Sequence, residues 1–242
     1  MIDYLSKLLP RHGFAGTTAL DLACGTGTVA VALARQGLQV YAIDSSPAMI
    51  EQARRKVAEA KVDIAFSCQD MRSFTLPTQV DLVTCLYDSL NYLLSPADLT
   101  QAFRQVWAAL RPGGLLLADV NTPAALTHIW GCDTYFGESP TVSIAMQNTY
   151  DEARCQSTVT ITGFVRHSDL YERFQEEHVQ RGYTPAEVTT ALTTAGLRVI
   201  AHYECFSFDD PGPASQRVMY VVRRPHDDEG NRSATRPPRF TK

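Results

Sequence analysis

The sequence predicts an α/β fold in which a doubly wound, mostly parallel sheet carries an inserted antiparallel sheet. Three observations lead to this prediction. Apolar runs alternate with helical patterns from residue 17 to about 120, the apolar period then changes to two, and two further strand-like runs close the chain. The alternation is typical of βαβ units, whereas a period of two is typical of strands that are solvated on one face.

Five apolar runs are the candidate strands of the parallel sheet, at 18–23, 38–43, 63–67, 80–86 and 114–120. Helical patterns lie between them at 26–35, 46–60 and 96–110. The last of these helices begins at a capping-box pattern from Ser95 to Asp98 and ends before Pro112. The order of these elements predicts a parallel sheet that is covered by helices on both faces.

Alternating side chains after residue 135 predict three antiparallel strands with no helix between them. Val142 to Tyr150 and Val159 to Val165 alternate apolar with polar residues, and a third segment spans about 170–181. We therefore assign 139–182 to an inserted antiparallel sheet. Such a sheet serves either as a lid over a substrate or as a dimer interface, and the second role predicts a homodimer.

The segment after the insertion completes the main domain. Thr184 to Glu187 form a second capping box, and the helix that they begin stops at Gly196. The runs 197–206 and 216–224 predict a closing antiparallel hairpin. These elements divide the chain into a main domain of residues 1–138 and 183–224, the insertion, and a disordered polar tail at 225–242.

The composition favours a small-molecule ligand. Of the 242 residues, 45% are hydrophobic and 20% are charged, as in a globular protein with a sizeable core. The formal net charge of −4 provides no attraction for nucleic acid, so we expect no such partner. The six cysteines lack metal-ligand spacing, and no apolar run is long enough to span a membrane. We expect a cytoplasmic protein without a metal site or a membrane contact.

The run from Leu20 to Ala34 joins a short buried strand to a glycine turn and a helix. Gly25 and Gly27 allow positive φ and a close approach of a ligand to the backbone, and the first N–H groups of the helix face the same place. Asp44 ends the next strand, 23 residues after Asp21, where a carboxylate accepts ribose hydroxyls in folds of this type. This corner predicts a nucleotide-like ligand, and its spacing alone fits both NAD and other adenosine cofactors.

Five segments follow one another in a specific order: DLACGTG, AIDSSPAMI, CQDMRSF, VDLVTCLYDSLNYL and LRPGGLLLADVNTP. Together, over residues 20 to about 123, they resemble the class I S-adenosylmethionine-dependent methyltransferases. The resemblance implies a Rossmann-like doubly wound seven-stranded sheet with an antiparallel last strand, and S-adenosyl-L-methionine as the cofactor. The chain departs from the family pattern at Ala23, where the family has the first glycine of its signature.

The resemblance also implies roles for individual residues. It implies that Asp21 supports the glycine turn, that Asp44 holds the ribose hydroxyls and that Asp70 accepts from the adenine amino group. The implied cofactor residues are Asp21, Ala23, Cys24, Gly25, Gly27, Asp44, Ser45, Met49, Asp70, Met71 and Leu86, and the implied substrate residues are Tyr87 and Asn121. An alternative is that Asp21 and Asp44 only cap N–H groups and that Met49 packs in the core.

An acceptor of a methyl group needs a free lone pair, so a nearby base has to take its proton. Three residues are candidates for this role. His178 lies on a polar face of the third inserted strand, His128 follows the fifth strand, and Asp88 follows the fourth. The alternatives are a solvated sheet face for His178 and an ordinary helix surface for His128.

The inserted region resembles small-molecule N-methyltransferases, including those that act on amino sugars. We therefore expect methyl transfer to a nitrogen or oxygen of a small-molecule acceptor. The stretch from Tyr87 to Leu90 stands where enzymes that methylate nucleic-acid amino groups have a proline-containing box, which disfavours such substrates. Two other hypotheses stay open at this point: a nicotinamide-dependent oxidoreductase, and a non-catalytic cofactor-binding protein.

Overall fold

The computed structural model describes residues 1–127, 131 and 133–226. Its elements along the chain are α1 (Ile2–Arg11), β1 (Thr18–Leu22), α2 (Thr28–Arg35), β2 (Gln39–Asp44), α3 (Pro47–Ala60), β3 (Ile64–Cys68), β4 (Val80–Cys85), a 3₁₀ helix (Ser89–Tyr92), α4 (Pro96–Ala109), β5 (Leu110–Asn121), α5 (Pro123–Ala125), β6 (Thr134–Glu138), β7 (Val142–Asp151), β8 (Gln156–His167), β9 (Leu170–Arg181), α6 (Pro185–Thr194), β10 (Arg198–Glu204) and β11 (Arg217–Arg223). Within this described part of the chain, no helix is long and apolar enough to cross a membrane. Of the predicted tail at 225–242, residues 227–242 lie outside the described residues.

Seven strands form one sheet in the order β10-β11-β5-β4-β1-β2-β3. β1 pairs in parallel with β2 and β4, β2 pairs in parallel with β3, and β4 pairs in parallel with β5. β11 is antiparallel to both of its neighbours. The predicted seven-stranded sheet with an antiparallel last strand is therefore confirmed. Since the strand order reverses at β1 and β4, their carboxyl ends border the crevice where sheets of this kind bind ligands.

Helices cover both faces of this sheet, as the order of elements predicts. On one face α4 and α6 bury Phe103 and Leu192 in a large apolar cluster. On the other face α1 and α2 bury Leu8 and Leu33 in a second cluster. The sheet is thus shielded from water on both faces, which fits the nearly continuous apolar character of its central strands.

The sequence pattern does not predict the N-terminal helix α1. Tyr4, Leu5 and Leu8 are buried at helical spacing, but Pro10 in the last turn obscures the pattern. The Tyr4 hydroxyl donates to the backbone carbonyl of Ser207 at 2.6 Å. This hydrogen bond fixes α1 to the loop between β10 and β11.

The inserted sheet has four strands in the order β6-β7-β8-β9, so the predicted number of three is wrong. The additional strand, β6 at Thr134–Glu138, pairs with β7 and precedes the predicted boundary at residue 139. Nearly all of its side chains are exposed, so the alternation of burial that marks a strand in the sequence is missing there. The three predicted strands correspond to β7, β8 and β9, which pair antiparallel.

Asp88, in the loop after β4, connects the two sheets. Arg217 on β11 donates to the carboxylates of Asp88 at 2.8 Å and Asp119 at 3.2 Å, and to the side-chain oxygen of Asn121 at 2.9 Å. Gln180 on β9 donates to the other oxygen of Asp88 at 2.7 Å. Asp119 is fully buried, and this burial raises its pKa to about 6 although the charge of Arg217 opposes the shift. Arg217 thus holds Asp88 in place, and Asp88 binds the inserted sheet near the carboxyl ends of β4 and β5.

Replacing Arg217 with methionine removes the cation that faces two carboxylates, and breaking a buried pair costs roughly 3–5 kcal/mol of unfolding free energy. When a carboxyl has a higher pKa in the folded than in the unfolded state, the free energy of unfolding of the protein falls as the pH rises through the interval between the two pKa values. Without Arg217 the pKa of Asp119 rises further. We therefore expect the variant to lose more stability at about pH 8 than at about pH 5, as measured by urea unfolding.

Arg223→Met is the matched control on the same strand, because Arg223 donates to the backbone carbonyl of His12 rather than to a carboxylate. The same pH dependence in both variants would contradict the role assigned to Arg217.

Candidate functional site

Three adjoining cavities lie at the carboxyl ends of the parallel strands. The Asp44 cavity, with a volume of about 320 Å³, follows the ends of β1 and β2. The Gly25 cavity, of about 240 Å³, is formed by the glycine turn and the residues after β4. The His178 cavity, of about 460 Å³, lies beneath the inserted sheet. Ala23 lines the first two cavities, and Tyr92 lines the Asp44 and His178 cavities, so the three sites adjoin one another.

The glycine turn exposes its backbone to the Gly25 cavity. Ala23, Gly25 and Gly27 all have positive φ, at 57°, 52° and 77°. Apart from its two chain neighbours, no atom of the described residues lies within 4 Å of the place that a Cβ on Gly25 would occupy, so a ligand can approach the backbone there. A Cβ on Gly27 would lie 3.1 Å from the Cβ of Ala53, and this glycine therefore allows α2 to begin close to α3. Ala23 adopts the left-handed conformation that the family's usual glycine would provide.

Asp21 and Asp44 have different surroundings. Asp21 is buried, and its two oxygens accept from the backbone N–H of Ala30 at 3.0 Å and from the Thr84 hydroxyl at 2.8 Å. Burial raises the pKa of Asp21 to about 7.

The Asp44 oxygens accept from the backbone N–H groups of Gly25 and Ser46, each at 2.8 Å, and the side chain lines the Asp44 cavity. A carboxylate oxygen can accept more than one hydrogen bond, so Asp44 can still receive ligand hydroxyls. Both aspartates cap N–H groups, as the alternative interpretation holds, and both also line ligand space, Asp44 in the Asp44 cavity and Asp21 in the Gly25 cavity.

The other predicted cofactor residues divide between two cavities. Ser45, Asp70 and Met71 line the Asp44 cavity, whereas Cys24, Leu86 and the predicted substrate residue Tyr87 line the Gly25 cavity. Met49 lies exposed in the first turn of α3 and lines neither cavity.

The Asp70 carboxylate is engaged by a neighbour. It accepts from the Arg72 guanidinium at 2.6 Å and from the Arg72 backbone N–H at 2.8 Å. These hydrogen bonds hold the pKa of Asp70 below its usual value. Asp70 therefore stays charged at the edge of the Asp44 cavity, where its predicted contact with an adenine amino group remains a prediction.

The structure places Asp88 and Asn121 in the junction between the sheets rather than on a cavity wall. Both oxygens of Asp88 are engaged, one by Arg217 and the other by Gln180. Asn121 is buried, and its backbone N–H donates to the side-chain oxygen of Asn91. The sequence could not indicate this arrangement, because the arginine that organises it comes from a strand near the end of the chain.

His178 stands on the wall of the His178 cavity. Its Nδ1 lies 3.1 Å from the Tyr92 hydroxyl, and its Nε2 lies 3.2 Å from an oxygen of Glu176. The other lining residues come from the inserted sheet and are Tyr135, Met146, Asn148, Val159 and Ile161. The remaining predicted base, His128, lies outside the described residues.

Tyr92 is a site residue that the sequence analysis missed. It ends the 3₁₀ helix after β4, and no periodic pattern of four residues could mark it. Partial burial and the nearby charge of Asp88 raise the pKa of Tyr92 above its ordinary value. The hydroxyl therefore keeps its proton near neutral pH, at the boundary between the Asp44 and His178 cavities.

Comparisons with known proteins agree with this geometry. A family model described as a methyltransferase domain matches residues 19–114. A protein named as a methyltransferase in Geobacillus sp. (strain WCH70) is 33% identical over 225 residues, which cover 92% of this chain and 91% of that protein. The crystal structure of an S-adenosylmethionine-dependent methyltransferase from Clostridium acetobutylicum ATCC 824 matches with a TM-score of 0.87 at 26% identity, covering 93% of this chain and 90% of that one.

A further structure shares the fold at lower identity. CalS10, an amino pentose methyltransferase from Micromonospora echinaspora with bound S-adenosylmethionine, matches with a TM-score of 0.73 at 22% identity, covering 92% of this chain and 89% of that one. The open backbone at Gly25 and the carboxylate of Asp44 suit an adenosine cofactor with a charged aminoacyl end, and a nicotinamide-dependent oxidoreductase is not favoured. The chain belongs to the S-adenosylmethionine-dependent methyltransferases, and S-adenosyl-L-methionine is its cofactor.

Proposed function

We propose that this enzyme methylates a nitrogen or oxygen of a small molecule that binds in the His178 cavity. The observation that carries the proposal is the shared wall at Tyr92, which borders both the cofactor side and the space beneath the inserted sheet. A methyl acceptor has to meet its donor at close range and away from water. The His178 cavity offers that position, and its imidazole can receive a proton from the acceptor.

The Asp44 and Gly25 cavities together accommodate an elongated ligand, because Ala23 lines both. We assign the adenosine part to the Asp44 cavity, where Asp44 accepts from the ribose hydroxyls. We assign the aminoacyl part to the Gly25 cavity, beside Leu86 and the open backbone of Gly25. This assignment places Tyr92 on the side of the cofactor that faces the acceptor.

When bound, S-adenosylmethionine supplies a methyl group on a positively charged sulfur, which keeps the electron pair of the broken carbon–sulfur bond as the acceptor atom bonds to the methyl carbon. His178 is the final proton acceptor, and the proton reaches it through the Tyr92 hydroxyl. Its Nε2–H points to the carboxylate of Glu176, which leaves the lone pair of Nδ1 directed at the Tyr92 hydroxyl. Tyr92 passes its own proton to Nδ1 and takes the proton of the acceptor.

The inserted sheet acts in this proposal as the roof of the acceptor cavity. A homodimer stays a prediction. Its interface would be the outer face of the inserted sheet, where Phe136 is 82% exposed. A cytoplasmic location is likewise a proposal. It is supported by the five cysteines among the described residues, all of which are free thiols.

Replacing Asp44 with alanine removes the acceptors for the ribose hydroxyls and for two backbone N–H groups. We expect the binding of S-adenosylhomocysteine to weaken by roughly 1 to 3 kcal/mol, the range for unmet hydrogen-bonding groups. Isothermal titration calorimetry measures the change. Glu51→Ala on the neighbouring helix α3 is the control, since Glu51 pairs with Arg55 on the exposed helix surface. Equal affinities in the two variants would remove Asp44 from the cofactor site.

Replacing His178 with glutamine removes the proposed proton acceptor but leaves the cofactor cavities intact. We expect the rate of methyl transfer to fall by about 10²-fold or more, while the affinity for S-adenosylhomocysteine stays unchanged. Initial rates with a panel of small amines and hydroxyl compounds measure this effect. Tyr92→Phe should reduce the rate as well, because it interrupts the path to Nδ1.

His167→Gln is the matched control for this experiment. His167 also belongs to the inserted sheet and contacts a carboxylate, with its Nε2 3.1 Å from Glu172, but it lines no part of the His178 cavity. If His178→Gln and His167→Gln transfer methyl groups at the same rate, His178 is not the base.

A further inference from the structure

The His178 cavity has one polar end and one apolar end. In the inserted sheet, Asn148, Val159 and His178 form one cross-strand row on the face that lines the cavity. The next row on the same face contains Tyr135, Met146 and Ile161 and ends at Glu176, whose carboxylate lies against His178. The first row lies toward Tyr92, whose hydroxyl contacts His178. An acceptor in this cavity therefore meets hydrogen-bonding groups at the reacting end and aromatic or aliphatic side chains along its body.

No lysine, arginine, aspartate or glutamate is among the seven residues that line the cavity. A phosphate or carboxylate in this space would meet no lining cation, and burial of an unpaired charge is costly. A protonated amine would likewise meet no lining carboxylate, because Glu176 is engaged with His178 and is largely exposed. The lining therefore selects an acceptor that enters without charge.

The apolar surface continues along the sheet beyond the cavity. The following row on the same face contains Ile144, Gly163 and Phe174. A Cβ on Gly163 would lie 2.1 Å from the ring of Phe174, which shows that this ring lies against the glycine backbone. The ring of Phe174 and the absence of a side chain at Gly163 extend the flat apolar surface of the sheet, which suits a planar ligand.

We propose that the acceptor is an uncharged aromatic hydroxyl compound, a phenol whose apolar ring system lies against Met146 and Ile161. This inference rests on the proposed methylation of a small molecule in the His178 cavity. The phenol oxygen bonds to the methyl carbon, the electron pair of the carbon–sulfur bond stays on the sulfur, and the phenol proton reaches Nδ1 of His178 through the Tyr92 hydroxyl. A phenol enters the cavity neutral and becomes nucleophilic only beside His178.

The test compares three probes on the full-length enzyme loaded with S-adenosylhomocysteine: 2-naphthol, its carboxylated counterpart 6-hydroxy-2-naphthoate, and methyl glucosaminide. Calorimetry should show 2-naphthol binding at least about tenfold more tightly than the other two, given the cost of burying an unpaired charge. With labelled S-adenosylmethionine, 2-naphthol should also be methylated fastest.

Ile161→Ser should weaken the binding of 2-naphthol by about tenfold, because it removes most of a half-buried aliphatic side chain that a bound ring would cover. The affinity for S-adenosylhomocysteine should not change. Thr162→Ser is the matched control, since the neighbouring residue on β8 points to the opposite face of the sheet. Its affinity for 2-naphthol should equal that of the unmodified enzyme.

The outcomes separate this inference from the proposed function. Methyl transfer to the amino sugar or to the carboxylated probe, at a rate equal to or above that with 2-naphthol, overturns the phenol assignment and leaves small-molecule methylation intact. Binding of S-adenosylhomocysteine without binding of 2-naphthol also overturns the phenol assignment. Failure to transfer a methyl group to any small acceptor would count against the proposed function itself.

Discussion

The hydrogen bonds that converge on Asp88, from Arg217 on one side and Gln180 on the other, connect the main sheet to the inserted sheet. Arg217 lies on β11, the strand that runs against the direction of the rest of the main sheet, and reaches Asp119 on β5 and Asp88 after β4. Asp88 in turn accepts from Gln180 of the inserted sheet. Tyr87 and Asp88 both have positive φ, a conformation that needs support from surrounding contacts in residues other than glycine. The same loop then delivers Tyr92 to the boundary between two cavities.

Three aspartates that each end or lie in a strand of the main sheet differ in burial and in their partners. Asp21 and Asp119 lie inside the main sheet, and their environment raises both pKa values, to about 7 and about 6. Their oxygens accept hydrogen bonds from groups of the protein itself, and Asp21 also lines the Gly25 cavity. Asp44 lies at the end of its strand beside open space, so it can cap the glycine turn and still receive a ligand. Asp119 therefore pairs with Arg217, whereas Asp21 and Asp44 border ligand space, Asp21 fully buried and Asp44 partly exposed.

Local sequence signals predicted the helices and strands that depend on neighbouring residues. The capping residues Ser95 and Thr184 accept from the backbone N–H groups of Asp98 and Glu187, as the capping-box pattern requires. The prediction failed where no local signal exists. Strand β6 exposes nearly all of its side chains, and its order comes from pairing with β7. The 3₁₀ helix that carries Tyr92 is too short to show a period.

The amino-acid sequence was sufficient to predict the family, the cofactor and the strands of the main sheet, because these follow from short motifs and local periodicity. Gly25 and Asp44 are examples, since the turn and the strand end that position them are local features. Which polar residues line the His178 cavity depends on tertiary contacts. His178 and Tyr92 are 86 residues apart, and they meet because the inserted sheet folds back over the 3₁₀ helix. Contacts between distant segments form through packing, and no periodicity in the chain encodes them.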